Sequence, residues 1–179
     1  MTATAAKTPI DRAITTRKML SNVRLSMHDP MVEVAARTGM ITNACFAVRA
    51  ANPIKRSQLP KPYAPVDEEA VSRWQNNMEQ MLTLSESSQV RDLEWQYSEI
   101  DETRLDSGRP TRLQVLKDHH SGSKYKINHR FLLTCLKLAS TRMDRIEPKL
   151  CTTSAGMDLV GLFRHGEEQP FAVIAPLER

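Results

Sequence analysis

Residues 52–65 read Asn-Pro-Ile-Lys-Arg-Ser-Gln-Leu-Pro-Lys-Pro-Tyr-Ala-Pro, and four of the chain's ten prolines fall within them. Each proline fixes its own φ, removes an amide donor and pushes the residue before it out of the helical region. A stretch with prolines at 53, 60, 62 and 65 therefore has little freedom to be a helix or a central strand, and reads as an extended linker. It divides the 179 residues into an N-terminal part, 1–65, and a C-terminal part, 66–179, and the main boundary is expected there.

The two parts differ in charge. Residues 1–65 hold ten Lys and Arg against three Asp and Glu, a net of +7, whereas 66–179 hold fifteen against eighteen, a net of −3, which together give the formal +4. A basic segment attached to a near-neutral body points to contact with phosphates or with an acidic neighbour. The residues expected to meet a nucleic-acid backbone are Arg12, Arg17, Lys18 and Arg24, with Lys55, Arg56 and Lys61 beyond them. They are not interleaved with aromatics, so base stacking is not indicated. Basic arms also thread into protein partners, and that alternative stands beside the first.

Periodicity supplies the elements. Pro9 followed by Ile10, Ala13 and Ile14 fits a short basic helix over 9–20. Val23, Leu25 and Met27 alternate with Arg24 and Ser26 as in a strand. His28-Asp29-Pro30 signals a turn, and Met31 to Ala35 fits either a second strand or part of a helix over 30–38 closed by Gly39. Met40 to Ala51 is apolar and ambiguous. After the linker, Val71, Trp74, Met78, Met81 and Leu82 form one helical stripe, and Asp67, Glu68 and Glu69 sit where the helix dipole favours acids. Leu93, Trp95 and Tyr97 alternate with polar residues as a half-buried strand, and Glu99, Asp101, Glu102 and Asp106 read as a solvated acidic loop. Asp106 to Pro110 is a turn, Leu113 to Leu116 a strand, His119 to Ser123 a turn, and Lys124 to Ile127 a short strand. Asn128 caps a second helix whose apolar face is Phe131, Leu132, Cys135, Leu136 and Leu138. Strands are expected at 145–151, 158–163 and 171–176, with turns at 154–156 and 165–166.

The fold class that follows is α+β: an antiparallel sheet packed by two amphipathic helices, with a basic N-terminal extension. Helix-then-strands occurs twice after residue 66 and, truncated, once before residue 40. Residues 66–179 are expected to fold alone, with Phe131, Leu132, Trp74 and Met78 in one core against Leu93, Trp95 and Tyr97. Hydrophobic residues make up 40% of the chain, enough for a core, and nine Met against four Phe make that core adaptable.

Catalytic and metal signatures are not met. His119-His120 lacks a third ligand at zinc spacing. Six glycines leave little room for a phosphate-cradling loop, and no GxSxG occurs. Cys45, Cys135 and Cys151 are odd in number, widely spaced and without a CxxC, which suits buried thiols in a reducing compartment. The longest apolar runs, such as 171–176, are too short for a membrane span. Met1 to Leu20 lacks the apolar centre of a secretory signal, although its Ala, Thr and basic residues are shared with organelle transit peptides. A cytoplasmic protein without cofactor, metal or membrane contact is expected.

One resemblance adds to this. Tyr125-Lys126-Ile127-Asn128-His129-Arg130-Phe131-Leu132-Leu133 resembles the strand and Asn-started helix in the last unit of bacterial DNA polymerase sliding clamps. Leu136 and Leu138 continue that helix, and Asp144-Arg145-Ile146 begin the next strand. Pro170-Phe171-Ala172-Val173-Ile174-Ala175-Pro176-Leu177-Glu178-Arg179 resembles the family's aromatic–aliphatic final strand. The resemblance implies a ring-forming, non-enzymatic processivity factor on DNA, with the helix at 67–84 and the strands at 91–127 supplying the first half of one such domain. The expectation is a non-enzymatic, oligomeric, nucleic-acid-associated subunit of a larger assembly. The alternative is a structural or adaptor protein of a phage or mobile-element particle, anchored by its arm.

Overall fold

The computed structural model describes residues 29–43, 45–59, 65–85, 88–106, 108–153 and 156–177. The helix expected over 9–20 and the strand at Val23 to Met27 lie outside the described residues.

The first element is helix α1, Asp29–Thr38, which buries Met31, Val32, Val34 and Ala35. The strand alternative for Met31 to Ala35 does not form, because Pro30 suits a first turn and Gly39 supplies the stop. Gly39 has φ 71° and donates its amide to Ala35 O at 3.0 Å. The ambiguous stretch after it is a hairpin, β1 (Met40–Thr42) with β2 (Phe46–Arg49). At its turn the Asn43 side chain accepts from the amides of Cys45 and Phe46, both at 3.1 Å.

Helix α2 spans Glu68–Leu82 and is capped by Asp67, whose carboxylate accepts from Glu69 N. It leads into β3 (Gln89–Asp106), β4 (Arg109–Asp118) and β5 (Lys124–Asn128). Helix α3 spans His129–Leu138, capped by Asn128 through Arg130 N. Strands β6 (Ile146–Thr152), β7 (Asp158–Arg164) and β8 (Ala172–Ile174) are the last described strands. Within β7 a Cβ on Gly161 would stand 2.7 Å from the Phe163 ring and 2.8 Å from Cys151 Sγ, so that ring lies where only glycine leaves room.

The described strands form one eight-stranded sheet in the order β1-β2-β8-β7-β6-β3-β4-β5, and every neighbouring pair is antiparallel. The protein is thus α+β, as its periodicity suggests, with α1, the helix alternative at 30–38, beside the two expected amphipathic helices among the described residues. The meanders β3-β4-β5 and β6-β7-β8 spread to either side of the central β3–β6 pair, as a two-fold axis between those strands would arrange them.

The helices do not follow that symmetry. In β8, Ala172 and Ile174 share a core with Leu132, Cys135 and Leu136 of α3, whereas Val173 between them packs with Val71, Met78 and Leu82 of α2. Alternate residues of a strand face opposite ways, so α2 and α3 cover opposite faces of the sheet. This corrects the expectation of one shared core: Phe131 and Leu132 pack with Leu93 and Trp95, while Trp74 and Met78 belong to the other layer. Tyr97, placed in the core by alternation, is 51% exposed. The sheet curls around α3, which touches β2 and β8 on one side and β4 and β5 on the other. Leu177 N donates to Lys126 O at 2.8 Å and draws the segment after β8 onto β5.

The boundary expected at residue 65 does not separate two cores. Phe46, Ala47 and Val48 pair with Ile174, Val173 and Ala172. Val32, Ala35, Ile41, Ile54 and Leu59 lie in the same core as α3. The proline-rich stretch is no free linker in its first half, since Ile54 and Leu59 are buried and Arg56–Gln58 make a 3₁₀ turn between them. The reason is apolar content: Ile and Leu flank a polar turn, and their burial outweighs the extended preference of the prolines.

Candidate interaction surface

Of the seven basic residues expected to contact phosphates, Arg12, Arg17, Lys18, Arg24 and Lys61 lie outside the described residues. Lys55 is exposed. Arg56 donates from Nη1 to Glu33 Oε2 at 2.6 Å, and Glu33 Oε1 accepts from Arg37 Nε at 2.9 Å. Arg37 also holds both oxygens of Glu68, at 2.7 and 2.8 Å. Arg56 is therefore part of a clasp joining the turn at 56–58 to α1 and, through Arg37, to α2. The hydrogen bonds from Arg37 and then Arg56 hold the Glu33 carboxyl below its usual range, and Arg37 does the same for Glu68.

The other sequence candidates are dispersed. Among the described residues no group of three or more His, Cys, Asp or Glu is gathered as a metal would require. His119 lies 3.5 Å from Glu94, and His120 donates its amide to Asp118 Oδ1 at 2.8 Å. Burial pushes the Cys135 thiol far up and the Cys151 thiol to about 11, so neither is a poised nucleophile. A cavity of about 560 Å³ lies between the end of α2 and the sheet, lined by Met81, Leu84, Ser88, Cys151, Thr152 and Leu159 among others. Glu79, which accepts from Gln75 Nε2 at 3.1 Å, also lines it. No described helix is long and apolar enough to cross a membrane.

The exposed apolar surface lies elsewhere, on the β3–β4 hairpin. The acidic residues read as a solvated loop are in fact strand: β3 runs on through Glu99, Asp101 and Glu102 to Asp106, paired with β4 from Leu93↔Asp118 to Asp106↔Arg109. Glu99 meets Lys126 at 2.9 Å, and Asp101 meets Arg104 at 3.2 Å. Asp101 also accepts from the Thr103 hydroxyl at 2.6 Å; that bond, ahead of the Thr103 and Arg104 amides, holds its carboxyl below the usual range.

Neighbouring strands stop short of this hairpin. β6 pairs with β3 only over Gln89–Asp92, and β5 with β4 only over Leu113–Lys117. Pro148, next in register after Lys149, has no amide hydrogen to give to β3, and the ladder ends there. The hairpin from Glu99 to Arg112 is consequently a two-stranded ribbon, whose reach beyond the sheet is set by the four residues Arg109–Arg112 of its shorter strand, about 13 Å at ~3.3 Å per residue. Register shifts between Trp95 and Ser98 and between Asp101 and Leu105 mark irregularities that add twist. Tyr97, Ile100 and Leu105 stand 51, 59 and 66% exposed along it. Lys124 Nζ lies 5.7 Å from the centre of the Tyr97 ring.

Sequence reasoning missed the ribbon, although one signal was available. Asp106 to Pro110 reads as a turn, and Gly108 at φ 78° suits a two-residue hairpin loop. Such a loop obliges both flanking segments to run paired up to it, whatever the strand propensity of Glu and Asp. Comparison with protein-family models, with curated proteins and with solved structures found no match to this chain.

Proposed function

We propose that this chain is a non-enzymatic, protein-binding subunit of a larger assembly, and that the β3–β4 ribbon meets its partner. The observation that carries this reading is the exposure of Tyr97, Ile100 and Leu105 on a two-stranded projection. A two-stranded ribbon is marginal in water by itself, and apolar side chains spaced along it gain burial only by docking. An adaptor in a phage or mobile-element particle is one setting for such a subunit. The test is the double substitution Ile100→Glu with Leu105→Glu in the full chain. Both side chains are exposed, so unfolding should shift by less than about 0.5 kcal/mol. Partners that co-purify with the parent and are lost from the folded variant support the reading, whereas identical partner sets overturn it.

A second reading, contact with a nucleic-acid backbone, is favoured by the charge of residues 1–28, where Lys7, Arg12, Arg17, Lys18 and Arg24 face only Asp11. A clamp-like role on DNA would be one form of it, resting on the resemblance of residues 124–179. Duplex binding should then steepen with salt by about −0.9 in log–log slope per phosphate contact. Changing Arg12, Arg17, Lys18 and Arg24 together to Ala should flatten that slope by up to about 3–4. Absence of DNA binding at low salt removes this reading and leaves the first untouched.

A further inference from the structure

We infer that the cavity at the C-terminal end of α2 is a binding site for a small organic amine, an apolar body carrying one ammonium group; the inference goes beyond the protein-binding reading and stands apart from the ribbon. The cavity is about 560 Å³, within the roughly 300–1,000 Å³ typical of small-molecule sites. Met81, Leu84 and Leu159 supply its apolar walls. Gln169 accepts the Leu84 amide at 2.6 Å and donates to the Leu84 carbonyl at 3.4 Å, so that wall is in place before any ligand arrives.

The lining selects the charge. Glu79, Gln80, Met81 and Thr83, from the last turn of α2 and its cap, make one side of the cavity. A helix ends on carbonyls without intrahelical donors, and partial negative charge gathers there. Among the described residues no donor from outside the helix reaches the carbonyls of 79–82. Helices α1 and α3 carry Arg37 and Lys137 in their last turns, whereas the last turn of α2 holds no basic residue. Glu79 adds a full charge: its Oε1 accepts from Gln75 Nε2 at 3.1 Å, and its Oε2 has no described donor. No Lys, Arg or His is among the described residues that line the cavity. On the opposite wall Thr152 already donates to Asp158 at 2.7 Å, and the Thr153 hydroxyl accepts from Met157 N at 3.2 Å. The unmet demand is therefore at the helix end, and it is for donors. An ammonium group offers three donors and no acceptor. It meets the carboxylate and the helix carbonyls together, while an apolar body covers Met81, Leu84 and Leu159. An anion would meet repulsion from the same groups.

The experiment uses the full chain and four probes: phenylbutylamine, its neutral counterpart phenylbutanol, its anionic counterpart phenylbutyrate, and Nα-acetyl-lysine methylamide. Binding is followed at neutral pH through the isotope-labelled methyl resonance of Met81, assigned with Met81→Leu. The amine should move that resonance and bind about tenfold tighter than the alcohol, because charge-assisted hydrogen bonds are the stronger kind. Phenylbutyrate should not bind measurably. Glu79→Gln should bring amine and alcohol within about twofold of each other, with the unfolding midpoint unchanged. Thr83→Lys, at an exposed position, puts a cation at the helix end and should weaken the amine about tenfold. Equal affinity for amine and alcohol in the parent would overturn the charge selection. An unmoved Met81 resonance, or an amine affinity untouched by both variants, would overturn the site. Tighter binding of the lysine derivative than of phenylbutylamine would make a polypeptide's lysine the occupant and overturn the free amine. None of these outcomes bears on partner loss in the Ile100→Glu, Leu105→Glu variant, so this site can fail while the protein-binding reading stands.

Discussion

Asp118 is the buried charge on which the end of the β4–β5 hairpin depends. Its side chain is 1% exposed, yet it accepts from Arg91 Nη1 at 2.7 Å, from the Ser121 hydroxyl at 2.8 Å and from the His120 amide at 2.8 Å. Burial alone would raise its pKa, but the Ser121 hydroxyl, the two amides and Arg91 outweigh burial and hold it below the ordinary value. A depressed folded-state value stabilises the fold above the unfolded pKa of about 3.9 and loses that contribution as pH falls through the folded value. Asp118→Ala should therefore cost about 2–4 kcal/mol in denaturant unfolding at neutral pH. The gap between parent and variant should close below about pH 4. A second test concerns thiols. Cys45 is exposed while Cys135 and Cys151 are buried, so alkylation of the native protein at pH 8 should label Cys45 and spare the other two until denaturant is added. At this scale the sequence discriminates poorly: Lys55 and Arg56 are adjacent cations, and only Glu33, 23 positions away from Arg56 in the chain, makes one of them a structural clasp.

Elements whose order is local were the legible ones. Helices α2 and α3 announce themselves through Asp67 and Asn128 as caps and through stripes at 3.6-residue spacing. The stripe tells that a helix buries one side, not which face of the sheet receives it, and so Met78 and Leu132 were assigned to one layer when they occupy two. The β3–β4 ribbon was illegible for a related reason: Glu99 to Arg104 have weak strand propensity and are ordered by cross-strand neighbours supplied by β4. The end of α3 offers a test at this scale. Thr141 N bonds to Leu136 O at 2.9 Å and Ser140 N to Lys137 O at 3.1 Å, a Schellman closure with Ser140 in the left-handed region at φ 51°. Glycine suits that conformation without the Cβ penalty, so Ser140→Gly should raise stability by about 1 kcal/mol, read from the urea midpoint at unchanged slope.

At the scale of the molecule, both core layers join residues from 29–59 with residues after 66, and a fragment containing only 66–179 should show no cooperative thermal or denaturant transition. It would lack β2, the neighbour of β8, together with Phe46, whose ring centre lies 5.3 Å from that of Phe131. A cooperative transition in the fragment would restore the boundary at 65. The placement of β8 also bears on how the molecule is made. Residues 172–174 follow every other described strand in the chain, yet they fill the slot between β2 and β7 in the interior of the sheet. Until they arrive, the β1–β2 hairpin and α1 have no sheet to join, and the surfaces meant for Ala172, Val173 and Ile174 stay open to water or to other chains. Pairings this distant in sequence place refolding of the full chain in the millisecond-to-second range, measurable by stopped-flow. During translation the same geometry holds the sheet open until β8 has emerged, so a product truncated before residue 172 would present two unmatched edges, β2 and β7, rather than a smaller folded protein.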